Sequence, residues 1–102
     1  MGERKRIDSS VVGCVQRGMD FLDKECPGWE EIVNPGALDI ACSQNCVMGQ
    51  IFGDYSAGIE TLAISIENAS RLGFENAEES NYKNLNTCWK KQIQNRLATL
   101  AP

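Results

Sequence analysis

Between Leu38 and Tyr55, two cysteines, two glycines and a glutamine fall at helical spacing: Cys42, Cys46, Gly49, Gln50 and Gly53. Wound at about 100° per residue, these five line one stripe, while Val47, Met48, Ile51 and Phe52 occupy the other side. The bulky side needs a core. The small, polar side lets another backbone, or a ligand, approach where a larger residue would hold it off. Three readings follow: a tightly packed helix contact, a pocket for a ligand or partner, and a metal or redox site. Asp39 is the expected cap of this cysteine helix, and Gly53-Asp54 its end.

The rest of the chain also reads as helix. Asp8, Ser9 or Ser10 can cap a segment whose Val11, Val15, Met19 and Leu22 recur at the 3–4 spacing of a buried face. Cys14, Gly18 and Phe21 flank that face, an Asp20–Lys24 pair at i,i+4 lies opposite, and Pro27-Gly28 ends the helix. Trp29 to Val33 reads as a helical turn, and Asn34-Pro35-Gly36 as a turn by composition. Tyr55 to Ala63 follows with Ile59 and Leu62 inward. Ser65 caps a short helix, Ile66 to Leu72, that Gly73 closes in a left-handed C′ position with Phe74 just beyond. Glu75 to Ser80 is a polar loop, and Ser80 or Asn81 starts a last, longest helix with Tyr82, Leu85, Trp89, Ile93, Leu97 and Leu100 inward. There is no internal repeat or linker. The expectation is a single small all-α domain of four or five short helices in an irregular or orthogonal bundle over residues 8–102, with residues 1–7 as a flexible basic arm.

A length of 102 residues fits one domain that folds without staples. The net charge of −4 is unevenly spread: residues 18–80 carry two Lys/Arg against twelve Asp/Glu, and residues 81–102 carry four against none. Lys83, Lys90 and Lys91 lie away from the apolar face of the last helix, as a solvated face requires. Three lysines are a thin footprint for phosphates, and the acidic middle opposes them. Nucleic-acid binding through the basic ends, chiefly Arg4-Lys5-Arg6, is therefore a subordinate alternative.

Five cysteines (Cys14, Cys26, Cys42, Cys46, Cys88) raise the question of metal. Structural zinc sites favour two closely spaced ligand pairs. Cys42 and Cys46 form one pair at the permissive end of that range, with no second pair and no histidine anywhere. They are weak metal candidates, and no cofactor is implied. The odd cysteine count, the lack of an apolar stretch after the basic start and the absence of a long apolar run point to a reducing cytoplasm and no membrane span. Cys88, off the centre of the apolar arc and beside Lys91, is the thiol expected to be most exposed, with a slightly lowered pKa.

Without histidine, the commonest general base at neutral pH is missing, as is every Cys–His or Ser–His nucleophile pair. Gly49-Gln50-Ile51-Phe52-Gly53 lacks the pattern of a phosphate loop. Glu30/Glu31 and Glu78/Glu79 are sequential, so on a helix they point apart. An enzymatic role is not expected.

The run Pro27-Gly28-Trp29, Leu38-Asp39, Cys46-Val47-Met48-Gly49-Gln50, Phe52-Gly53-Asp54-Tyr55, Leu72-Gly73-Phe74 and Cys88-Trp89 resembles short uncharacterised proteins of actinobacteria and their phages, over roughly residues 26–89. The pattern there has Val-Leu-Gly-Gln after the cysteine, so Met48 is a mild departure. The resemblance implies a phage-associated cytoplasmic protein and carries over no activity. Two function classes stand. One is a small interaction module, such as a phage accessory or host-takeover factor that binds a host protein, with Trp29, Tyr55 and Tyr82 as anchors where exposed. The other binds a small molecule or metal, with Cys42, Cys46, Gln50, Asp54 and Tyr55 converging on a pocket. The glycine-bearing face could equally serve a homodimer.

Overall fold

Ser10 opens the first helix, its hydroxyl oxygen accepting the Gly13 N–H at 3.0 Å. The computed structural model describes residues 10–75 and 82–100. The basic arm 1–7 and the cap expected at Ser80 or Asn81 lie outside them. In chain order the helices are α1 (Val11–Glu25), α2 (Trp29–Ile32), α3 (Val47–Phe52), α4 (Tyr55–Leu62), α5 (Ile66–Arg71) and α6 (Tyr82–Leu100). No strand occurs among the described residues, and the domain is all-α. No helix is long and apolar enough to cross a membrane among these residues.

The caps follow the local chemistry of the sequence. Gly28 adopts φ +87°, a left-handed turn that lets Trp29 start α2 directly after α1. Asp54 caps α4 by accepting the Ala57 N–H at 2.7 Å, and Ser65 caps α5 by accepting the Asn68 N–H at 3.1 Å. Gly73, at φ +76°, turns the chain out of α5, and the Phe74 N–H returns to the Ala69 carbonyl at 2.9 Å.

Long α1 and α6 pack together, burying Val15, Met19 and Leu22 from one and Leu85, Trp89 and Ile93 from the other, and the segments between them supply the rest of the core, among them Trp29, Val47, Met48 and Phe74. Trp29 stands edge-on to Trp89 with ring centroids 6.0 Å apart, and Phe74 stacks on Trp89 at 5.8 Å. The buried Trp89 N–H donates to the Gly73 carbonyl at 2.7 Å, so the turn after α5 is held by α6. At Gly18 a Cβ would fall 2.1 Å from the Leu72 carbonyl oxygen, which is why α5 can close against α1 only over a glycine. On the rim, Asp23 of α1 takes two hydrogen bonds from the Arg96 guanidinium of α6, at 2.9 and 3.0 Å, and a third from the Trp29 indole at 3.0 Å. Asp20 pairs with Gln16 at 3.1 Å, in place of the expected Lys24 contact.

The cysteine helix is shorter than its periodicity predicts. Residues 39–46 run as turns, and helix begins only at Val47. Asp39 caps no helix: its carboxylate folds back on the Ala41 N–H at 3.1 Å and faces the Asn86 side-chain amide at 3.4 Å. Asn86 in turn accepts the Ile40 N–H at 2.6 Å, and the Asp39 N–H goes to the Asn45 carbonyl at 3.1 Å. These bonds satisfy the backbone in a non-helical path while Leu38 and Ile40 are buried, which outweighs the helical spacing.

Candidate functional site

Cys46 is the N-cap of α3. Its sulfur accepts the Gly49 N–H at 3.3 Å, and its thiol donates to the Ser43 carbonyl at 3.6 Å. Burial pushes its pKa up, against the hydrogen bond from Gly49. Cys42 sits half-buried in the preceding turn, where its carbonyl takes the N–H groups of Asn45 and Cys46 at 3.1 and 2.9 Å. The two cysteines therefore do not share a helical stripe. All five cysteines are free, and among the described residues no three of Cys, Asp and Glu gather in a way that could hold a metal ion.

The small face of α3 is filled by its own chain. A Cβ on Gly49 would lie 2.3 Å from the Ser43 carbonyl oxygen and 2.5 Å from the Gln44 carbonyl carbon. Gln50, one residue on, is engaged on both sides of its carboxamide. Its oxygen accepts the Asn34 N–H at 2.7 Å, and its nitrogen donates to the carbonyls of Asn34 at 3.2 Å and Asn45 at 3.1 Å. Both amide hydrogens are thereby in use. Gln50 ties the turn after α2 to the turn before α3. Asp54 is the cap of α4 already described.

Tyr55 has a different setting. Half-buried at the start of α4, it donates its hydroxyl to the Glu75 carboxylate just past the Gly73 turn. Burial, with the Glu75 carboxylate second, holds its ionisation far above the ordinary tyrosine range, so Tyr55 is a lasting donor. The pair lies on a cleft of about 140 Å³, open to solvent and lined by Ile40, Ala41, Ser43, Tyr55, Phe74, Glu75 and Tyr82. Its floor is apolar, from buried Ile40 and Phe74, and among the described lining residues Glu75 is the one acidic or basic side chain.

Of the five residues expected to converge on a pocket, Cys46 and Gln50 bond separate carbonyls of the turns before α3, Cys42 lies within those turns, Asp54 stands at the neighbouring helix start, and Tyr55 alone of the five lines this cleft. Tyr82 joins it there. Trp29, an anchor only if exposed, is fully buried against Trp89 and belongs to the core. Cys88 is half-buried like Cys14, Cys26 and Cys42, and burial raises its pKa by more than Lys91 lowers it, the reverse of expectation. Sequence reasoning missed Glu75, read only as the start of a polar loop. Its sole signal is a carboxylate directly after the Leu72-Gly73-Phe74 stop, where Phe74 anchors the backbone in the core.

No protein-family model, curated protein or solved structure matches this chain.

Proposed function

We propose that this protein is a small non-enzymatic interaction module that engages a protein partner through the cleft between Tyr55 and Tyr82. The observation that carries the reading is a division of labour. The polar groups of the Cys46–Asp54 motif are turned onto the chain's own backbone, whereas the hydrogen-bonded pair Tyr55–Glu75 and Tyr82 line a cleft open to solvent. Aromatic side chains with a polar tip dominate binding hot spots. The non-enzymatic part rests on the absence of histidine and on thiols that burial makes less acidic at Cys26, Cys46 and Cys88, the opposite of an activated nucleophile. The likeness of the motif to phage-encoded proteins supports a partner in a bacterial host and a cytoplasmic setting, as an accessory or host-takeover factor would have.

Site-specific photo-crosslinking in the producing cells tests this. A photoreactive side chain at Ala41, exposed on the rim of the cleft, should give a discrete protein adduct that Tyr82→Ala abolishes, and one at Ile66, outside the cleft, should not. Equal labelling from both positions, or none from Ala41, would remove the cleft from the function.

A further inference from the structure

We infer that the Tyr55–Glu75–Tyr82 cleft receives a lysine side chain of the protein partner; this assignment rests on the binding-module reading above. The chemistry is complementary at each level. Glu75 is the one acidic or basic side chain among the described residues of the wall, and its carboxylate is fixed in place by the Tyr55 hydroxyl, which occupies one acceptor position and leaves others for an incoming donor. Three aromatic residues, Tyr55, Phe74 and Tyr82, line the cleft with it, and a ring face attracts an ammonium group by its quadrupole. Among the described residues no arginine or lysine lines the cleft to compete for the carboxylate. The chain carries a net charge of −4, so its overall field favours a cation.

The cleft, about 140 Å³ and open to solvent, has room for a slender side chain. A lysine side chain has four methylenes and one nitrogen beyond its Cα. Its stem can lie on the apolar floor of Ile40 and Phe74 while its head reaches Glu75, the division between apolar stem and charged tip that lysine makes at interfaces.

The test is a nuclear magnetic resonance titration of the full chain with Nα-acetyl-lysine methylamide, its Nε-acetylated form and the norleucine analogue at constant ionic strength. The lysine probe should shift resonances of Tyr55, Glu75 and Tyr82 saturably, and the two uncharged probes should bind about fivefold or more weakly, the loss of one cation–π and charge contact. Glu75→Gln retains an acceptor for the Tyr55 hydroxyl and removes the charge. It should bring lysine binding down to the norleucine level with an unchanged melting temperature. Equal binding of lysine and norleucine, undiminished lysine binding by Glu75→Gln, or shifts confined to other faces would each overturn the assignment. The Ala41 crosslink separates this from failure of the broader reading. An adduct that survives Glu75→Gln and is lost in Tyr82→Ala keeps the module and discards the lysine; an adduct indifferent to both discards the two together.

Discussion

The carboxamide of Gln50 faces the backbone of Asn34 as one peptide group faces another across a β ladder, accepting at 2.7 Å and donating at 3.2 Å. A side chain on α3 thus supplies the main-chain partner that the turn after α2 would otherwise lack, and its second donor reaches Asn45 on the far side. Gln50, one of five residues the sequence offered as pocket candidates, is a splint between two irregular segments.

Because Asn34 and Asn45 are exposed and water can take over their lost partner, Gln50→Ala is expected to cost about 0.5–1.5 kcal/mol, the net worth of a typical hydrogen bond. Gln50→Glu should also destabilise, because an ionised carboxylate has no hydrogens to donate to Asn34 and Asn45. Asp54→Ala should cost about 1 kcal/mol for the lost cap. With distinct partners, the Gln50→Ala/Asp54→Ala pair should come close to the sum in urea unfolding.

Two glycines of the same motif separate steric from conformational cost. Gly49→Ala forces a Cβ into the Ser43 and Gln44 carbonyls and should cost about 1–3 kcal/mol, as overpacking does. Gly53→Ala meets no atom within 4 Å but must hold φ +106°, and should cost about 1–2 kcal/mol. Valine at each position distinguishes the two, since a larger side chain worsens the clash at Gly49 far more than the strain at Gly53.

Acid sensitivity should centre on Asp23. Hydrogen bonding from Arg96 depresses its pKa, partly opposed by burial and helped by the Trp29 indole. A carboxyl depressed in the folded state contributes stability above its unfolded value of about 4, and that contribution is lost as pH falls through the folded value. At 43% exposure the pair is screened by solvent, so the effect should be modest and should shrink with added salt. Asp23→Asn should flatten the acid limb of the stability curve measured by thermal melts.

At the alkaline end the sign is reversed. Tyr55 is held protonated by burial and Glu75, whereas an unfolded tyrosine ionises at about 10. The stability this supplies is complete below that value and declines as pH rises beyond it. Ultraviolet titration should show a tyrosinate that emerges only with alkaline unfolding, and Tyr55→Phe should remove that component.

The helices were legible because their signals are local: a 3–4 apolar repeat in α1 and α6, side-chain caps at Ser10 and Ser65, a glycine stop at Gly73. The start of α3 was not. Cys42, Cys46, Gly49, Gln50 and Gly53 fit a helix by spacing, and nothing within that window reports that Asn86, about forty residues on, would claim the Ile40 N–H. At the site, Tyr55 and Tyr82 were legible as aromatics with polar tips. Glu75 was not, because its importance comes from Phe74 entering the core beside it and from a tyrosine twenty residues earlier.

Cys46 caps a helix of six residues with a sulfur, a role more often given to serine, threonine or aspartate. With Gly49 and Gln50 it forms a spelling that dictates how the backbone bends. Chains sharing that spelling should share the bend, and should be sorted by what they hold only at positions 55, 75 and 82.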